Sequence, residues 1–268
     1  MSDMNRSFAG SMPEFYDRIL VPVMFEPFAL DLAERLRGTR SGRVLEVAAG
    51  TGILTRVLAR LLPAEASITA TDLNPAMLDR AKSHRGLDRV QWQVADALAL
   101  PFDDRQFDCV VCQFGVMFFP DKRAAFREAR RVLRPGGQFL FSVWGDRKDS
   151  PFEVVAQVVG ERLSRDPASL VSPPYNDVDI VRGDLATAGF SPVTVEHITK
   201  LTHSSSARDA AMTMTHGGLI RAAIEAHAPD RLDEITDAAA TTIATRFGEG
   251  PIDAPLRALL FTAVRPNE

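Results

Sequence analysis

From residue 43 onward, short runs of β-branched and other apolar residues alternate with longer stretches whose apolar positions recur every three or four residues. That is the pattern of parallel strands joined by crossover helices. Strands are predicted at 43–48, 67–72, 90–95, 107–114 and 138–144, and the fourth is apolar on both faces, as a central strand must be. Amphipathic helices fill the gaps at 54–62 (stopped by Pro63), 75–85 (stopped by Gly86) and 121–133 (stopped by Pro135-Gly136-Gly137), and Asn74-Pro75 reads as an N-cap followed by the first helical residue. Beyond Trp144 the pattern predicts helices at 151–165 and 177–188 and strands at 192–201 and 256–264. Between those strands lie helices at about 207–227, interrupted by Gly217-Gly218, and 229–247, ended by Gly248. The sum is a doubly wound, mostly parallel α/β sheet of seven strands, five parallel plus a hairpin-like pair, with helices laid over one end as a cap.

A chain of 268 residues, 46% hydrophobic and 25% charged, buries a full core and suits one large domain with elaborations. Residues 1–40 are expected as an N-terminal helical lid and 41–268 as the main domain, with 148–190 and 204–250 as cap segments. A net charge of −4 provides no basic field for a polyphosphate, so a small-molecule partner is expected rather than a nucleic acid. The start MSDMNRSFAGSMPEF lacks the basic and apolar regions of a signal peptide, and apolar runs elsewhere are broken by charge before about 18 residues. No membrane insertion and a cytoplasmic location follow as expectations. Cys109 and Cys112 spell C-x-x-C, but they lie in the strand FDCVVCQF, where positions three apart face opposite ways; they read as small core residues, and no metal site is expected.

The chemistry concentrates in RVLEVAAGTGILT, residues 43–55: a strand, a turn of small residues at Ala48, Ala49, Gly50 and Gly52, then a helix whose first N–H groups have no partner within it. A dinucleotide fingerprint would place a third glycine at position 55, which is Thr55. Asp72 closes the next strand about twenty residues after the turn, where a carboxylate accepts from ribose hydroxyls in both nicotinamide and S-adenosylmethionine enzymes. A capping role for Asp72 competes, but Asn74 fills it better. Asp96, at the end of the third strand, is placed to accept from an adenine amino group while Ala97 offers a backbone N–H. This makes a nucleoside pocket with no device for a second nucleotide.

With VLEVAAGTG (44–52), TDLNPAML (71–78), ADALALPFDD (95–104), FDCVVCQFGVMFFPD (107–121) and RVLRPGGQFLFSVW (131–144) in order and in register, the chain resembles the class I S-adenosylmethionine-dependent methyltransferases of the ubiquinone and menaquinone biosynthesis type. The resemblance implies a Rossmann-like fold and S-adenosylmethionine as cofactor. It places Glu46, Gly50 and Gly52 beside the methionine moiety, Asp72 on the ribose, Leu73 and Met77 along the adenosine, Asp96 and Ala97 at the adenine, and Gln113 and Phe114 after strand four. Ala48 departs from the family, whose E-x-G-x-G-x-G loop usually has its first glycine there. The amino-terminal SFAGSMPEFYDRIL resembles the segment that closes over the cofactor with Tyr16 facing it; as a sequence it also reads as an amphipathic helix packing through Phe15, Ile19 and Phe25.

Methyl transfer from a sulfonium needs positioning and exclusion of water rather than a covalent nucleophile, and a general base only for an acceptor that must lose a proton. Among the histidines, His197 reads as a strand residue and His227 as a core or boundary residue; His216, in MTMTHGG, is the candidate base, its competing reading being a polar helix end. An apolar pocket wall is expected from Phe118, Phe119, Met212 and Met214, the methionines being equally readable as core. The tetrapeptide SPPY (172–175) resembles the adenine-holding motif of amino-methyltransferases, but that motif follows strand four, and here it reads as a loop. Two other functions fit the same fold: a non-catalytic S-adenosylmethionine-binding module and a nicotinamide-dependent oxidoreductase. The acceptor's identity and homo-oligomerisation are left open by the sequence.

Overall fold

A computed structural model describes residues 12–37 and 42–267. The start of the resembling amino-terminal segment, through Ser11, and residues 38–41 lie outside them. Seven strands form one sheet: β1 (Arg43–Val47), β2 (Ser67–Asp72), β3 (Val90–Val94), β4 (Phe107–Gln113), β5 (Leu133–Trp144), β6 (Val193–Ser204) and β7 (Ile252–Val264). Their order is β3-β2-β1-β4-β5-β7-β6. The first five run parallel, and β7 is antiparallel to β5, so the expected doubly wound sheet is the one observed. The winding direction reverses between β1 and β4. In open α/β sheets the carboxyl ends of the strands on either side of that reversal form the ligand crevice.

The helices are α1 (Met12–Phe15), α2 (Glu26–Glu34), α3 (Ile53–Leu61), α4 (Pro75–Lys82), α5 (Lys122–Val132), α6 (Pro151–Leu163), α7 (Val178–Thr187), α8 (Ala207–Thr215), α9 (Gly218–His227) and α10 (Leu232–Phe247). Between α1 and α2 the chain is π-wound over Tyr16–Phe25, with Glu26 N–H donating to Val21 O. This winding changes which residues face inward: Asp17, Leu20 and Val21 are buried, whereas Phe15, expected on the packed face, is exposed.

The chain divides into two compact units. One comprises Phe28–Gly145, Pro174–Ile198 and the stretch from Ala258 onward. Its core is built on β4, apolar on both faces as expected, and on a run of rings: Phe126, Phe139, Phe141 and Phe261, the last two stacked at 5.1 Å. Helix α5 ends at Val132, earlier than the Pro-Gly-Gly stop. Leu133 already pairs with Phe107, and the next pair is Cys109 with Gln138, so residues 134–137 bulge out of the ladder. The carbonyls left at that helix end are met from far away in sequence: the buried Arg265 donates through Nη1 to the carbonyls of Arg130, Arg131 and Leu133 at 2.7, 3.1 and 2.6 Å.

The other unit takes residues through Pro27 with Asp146–Pro173 and Thr199–Arg257. It is largely helical, its core drawn from Val155 and Val159 of α6, Ala211 of α8, Ile220 and Ile224 of α9, and Ile235, Ala239 and Ile243 of α10. The interruption expected at Gly217-Gly218 within 207–227 is observed: α8 ends at Thr215 and α9 begins at Gly218, which takes a φ of +64°. Among the described residues no helix is long and apolar enough to cross a membrane, and no group of three or more His, Cys, Asp or Glu could hold a metal.

Candidate functional site at the carboxyl ends of β1, β2 and β4

The turn after β1 is left-handed at three positions: Ala48 (φ +56°), Gly50 (φ +56°) and Gly52 (φ +81°). Only glycine takes such angles freely, and at Gly52 a side chain would also be crowded, since a Cβ would stand 3.0 Å from that of Ala81. Ala48 therefore accepts the backbone angle that the usual glycine supplies. The room for its methyl comes from β4's exit: a Cβ on Gly115 would lie 2.5 Å from Ala48 Cβ and 2.8 Å from Cys112 Sγ. Ala48 and Gly115 share one methyl-sized space, and position 115 gives way.

Asp72 ties this turn to the end of β2. Its Oδ2 accepts from Gly50 N–H at 2.8 Å and its Oδ1 from Asn74 N–H at 2.8 Å. Asn74 caps α4 itself, its side chain accepting from Ala76 N–H at 2.9 Å, so Asp72 is not the helix cap. Burial raises the Asp72 pKa against the lowering effect of the N–H groups of Asn74, Gly50 and Leu73. Each carboxylate oxygen retains acceptor capacity for a hydroxyl. Behind the turn Glu46 is only 1% exposed and accepts from Thr55 Oγ1 at 2.5 Å. Thr55 stands where the dinucleotide fingerprint has glycine, and its hydroxyl serves Glu46. Burial pushes the Glu46 carboxyl up to about 8, the Thr55 hydrogen bond opposing and Asp72 adding to the rise.

Met77 is buried beside the turn, where a Cβ on Gly50 would meet its Cε at 3.8 Å, while Leu73 is 47% exposed. Asp96 is exposed at the end of β3, with Oδ1 accepting from Leu98 N–H at 2.9 Å, and Ala97 is buried. At the exit of β4, Gln113 is half-buried and Phe114 is buried with a φ of +53°. The Phe114 ring stacks on Trp144 at 3.7 Å, and Phe28 sits edge-on to both. Gly115, Trp144, Phe28 and Thr51 were not singled out from sequence. Thr51 belongs with the turn because its buried Oγ1 has no hydrogen-bond partner among the described residues.

Of the remaining candidates, Phe118 and Phe119 follow β4 and are half-buried. In the helical unit Met214 packs against the core cluster, which favours its core reading, and Met212 is 36% exposed. Tyr16 is half-buried with its ring 5.2 Å from that of Phe25. His216 is half-buried at the end of α8, and His197 is exposed on β6. His227, expected as a core or boundary residue, is exposed because α9 ends there. Cys109 and Cys112 are buried free thiols whose pKa values burial raises, consistent with inert core residues. In SPPY, Tyr175 is committed to structure: its hydroxyl donates to Asp184 Oδ2 at 2.8 Å.

A family model described as a methyltransferase domain matches residues 44–137, the span that carries the turn, Asp72 and Asp96. The ubiquinone/menaquinone biosynthesis C-methyltransferase UbiE of Yersinia pestis (strain Pestoides F) is 31% identical over 181 residues, covering 60% of this chain and 72% of the relative. The chain belongs to the class I S-adenosylmethionine-dependent methyltransferases. A UbiE from Hahella chejuensis is 42% identical to this methyltransferase over 108 residues, 38% of the chain and 43% of the relative, so the chain spans under half the length of that protein. Among solved structures, the YcgJ protein of Bacillus subtilis superposes with a TM-score of 0.59 at 20% identity, covering 90% of this chain and all of that one. Phosphoethanolamine N-methyltransferase 2 of Haemonchus contortus, solved with phosphomonomethylethanolamine and S-adenosylhomocysteine, superposes with a TM-score of 0.59 at 17% identity over 98% of this chain and 57% of that one. The cofactor of the methyltransferase is S-adenosylmethionine, and the nicotinamide reading falls away. The residues present fit that cofactor: a turn of small residues left-handed at Ala48, Gly50 and Gly52, a carboxylate preset by two N–H groups at the end of β2, and a Thr51 hydroxyl with no hydrogen-bond partner among the described residues.

Proposed function

We propose that this methyltransferase transfers the methyl group of S-adenosylmethionine to a small-molecule acceptor by direct in-line displacement. The observation that carries the reading is the Asp72 carboxylate, held by Gly50 and Asn74 N–H groups at 2.8 Å each, so that it meets a ribose already oriented. The sulfonium supplies an activated methyl group, and the protein supplies position and dryness. Gly50 and Gly52 let the backbone approach the methionine moiety; Leu73 and Met77 flank the adenosine; Asp96 and Ala97 receive the adenine edge; Gln113 and Phe114 border the cofactor from β4. Phe118 and Phe119, which follow β4 in the same unit, contribute apolar surface for the acceptor. A small-molecule acceptor is supported by the net charge of −4, which offers nothing to a polyphosphate.

Calorimetric titration with S-adenosylmethionine and S-adenosylhomocysteine tests this reading. Asp72→Ala removes charge-assisted bonds of about 1.5–3 kcal/mol and is expected to weaken both ligands about ten- to a hundredfold. A folded wild type that binds neither ligand would end the reading; tight binding without methyl transfer to any of a broad panel of small acceptors would make the protein a binding module.

A further inference from the structure

A carboxyl group is enclosed directly behind the turn that Gly50 and Gly52 open to the methionine moiety. Glu46 pairs with Ala70 of β2 on one side and Val111 of β4 on the other, two residues before the left-handed Ala48. Its side chain reaches the first turn of α3, where Oε2 accepts from Thr55 Oγ1 at 2.5 Å, so the carboxyl bridges the two ends of the turn at 48–52. Only 1% of the residue is exposed. Each neighbouring element brings a group that acts on it or responds to it: Arg56 and Thr55 from α3, Asp72 from the end of β2, and Cys112 from β4, whose thiol is held protonated in part by the Glu46 charge. The Thr55 hydroxyl and Arg56 favour the ionised carboxylate, while burial and Asp72 oppose it. A charge behind this turn acts across a dry, packed layer, where it is weakly screened.

We infer that Glu46 determines the preference of this turn for the cationic donor S-adenosylmethionine over its neutral-sulfur product S-adenosylhomocysteine, its carboxylate acting on the sulfonium charge from behind the turn; this rests on the methyl-transfer reading above. The two ligands share their amino, carboxylate, ribose and adenine groups, so the ratio of their affinities isolates the sulfonium. For unit charges roughly 10 Å apart at an effective dielectric of about 20, the preference is about tenfold. The same coupling appears as protons. Burial pushes the empty protein's Glu46 carboxyl up to about 8, so near neutral pH it is mostly protonated. The sulfonium favours the carboxylate, and Glu46 gives up its proton as the donor binds. Methyl transfer leaves the electron pair of the broken S–C bond on sulfur and ends the positive charge. Glu46 then takes a proton from water, and the attraction that favoured the donor is absent for the product. One buried carboxyl thus favours both retention of the donor and release of the product, without touching either.

Calorimetric titration of the full chain with both ligands at pH 6 and pH 9 tests this. The ratio of the two dissociation constants is expected to move about eightfold in favour of S-adenosylmethionine between those values. Titrations at pH 7.5 in phosphate and in Tris, whose heats of ionisation differ, are expected to show about half a proton more released with S-adenosylmethionine than with S-adenosylhomocysteine. Glu46→Gln keeps the shape of the side chain and removes its charge, and is expected to give a ratio that does not change with pH. Thr55→Val removes the hydroxyl that favours the carboxylate and is expected to move the rise to higher pH, with Thr55→Ser restoring it. A flat wild-type ratio overturns the inference, and so does a Glu46→Gln ratio that follows the wild type, which would assign the effect to Asp72. Should Glu46→Gln not fold, Thr55→Val decides, and a profile left in place overturns the inference. A folded wild type that binds neither ligand ends the methyl-transfer reading itself, whereas binding of both with a flat ratio ends only the Glu46 assignment.

Discussion

Gly115→Ala tests whether the cofactor turn depends on the space shared with Ala48. Gly115 has a φ of −96° and a ψ of −36°, angles any residue adopts, so the substitution carries no backbone penalty and isolates the steric effect. The new methyl would sit 2.5 Å from Ala48 Cβ and 2.8 Å from Cys112 Sγ, against ordinary carbon contacts of about 3.5–4.0 Å, so roughly 1 Å of displacement must be absorbed. Neither neighbour is the tip of a flexible side chain. Overpacking of this kind costs about 1–3 kcal/mol. The displaced atom on one side belongs to the turn, so the same variant should also lose affinity for S-adenosylmethionine. Ala48→Gly relieves a left-handed alanine, worth about 1 kcal/mol, at a comparable entropic cost in the unfolded chain, and should stay within about 1 kcal/mol of the wild type. Combined, the two substitutions should be less destabilising than their sum, with a coupling of at least about 0.5 kcal/mol; Cys112 keeps the rescue incomplete. Urea unfolding of the four proteins, with calorimetry of the cofactor, measures all of this. A Gly115→Ala variant within about 0.5 kcal/mol of the wild type, or strictly additive effects, would refute the shared-space argument.

Two further outcomes follow from buried charge. Glu46 titrates near 8 when folded and near 4.5 when unfolded, so the folded state holds the extra proton between those values; the resulting stability is complete below about 4.5 and is lost as pH rises through 8. The stability difference between the wild type and Glu46→Gln, measured by urea unfolding at pH 5 and pH 8.5, should therefore shift in the variant's favour at the higher pH, and a constant difference would disprove the raised carboxyl. Arg265→Ala removes donors from three carbonyls at the end of α5 and should cost about 2–4 kcal/mol in the same assay, with Arg265→Lys recovering only part because an ammonium lacks the planar fork; a cost under about 0.5 kcal/mol would mean that water serves those carbonyls equally well.

The sheet was legible because its signals are local. A strand apolar on both faces, a small-residue turn and an Asn-Pro helix start are each written in consecutive residues, and β2 fell on its expected bounds. What escaped the sequence depends on partners distant along the chain or on winding. Nothing near Leu133 announces that Arg265 will cap the preceding helix, and nothing in VLEVAAGTG says that position 115 makes room for Ala48. The amino-terminal helix buries Leu20 and Val21 rather than Phe15 because its i→i+5 winding breaks the 3.6-residue period on which the expectation rested. His227 failed for a related reason: its helical phase with Ile220 and Ile224 was sound, but the helix ends there. At the site, Asp72 was legible from its place at a strand end, whereas the Glu46–Thr55 bond required seeing a missing glycine as a hydroxyl donor.

The way the two units interleave along the chain keeps the proposed cofactor residues together. The turn at 48–52, Asp72 and Asp96 all lie in one uninterrupted stretch, Phe28–Gly145, while the helical unit enters as two later segments, Asp146–Pro173 and Thr199–Arg257, besides its amino-terminal part. Both insertions return the chain to the sheet-bearing unit. Mutation, lengthening or wholesale replacement in them leaves the residues proposed to hold the cofactor, Gly50, Gly52, Asp72 and Asp96, in a stretch of their own. The family match ends at residue 137, inside that stretch and before the first insertion begins.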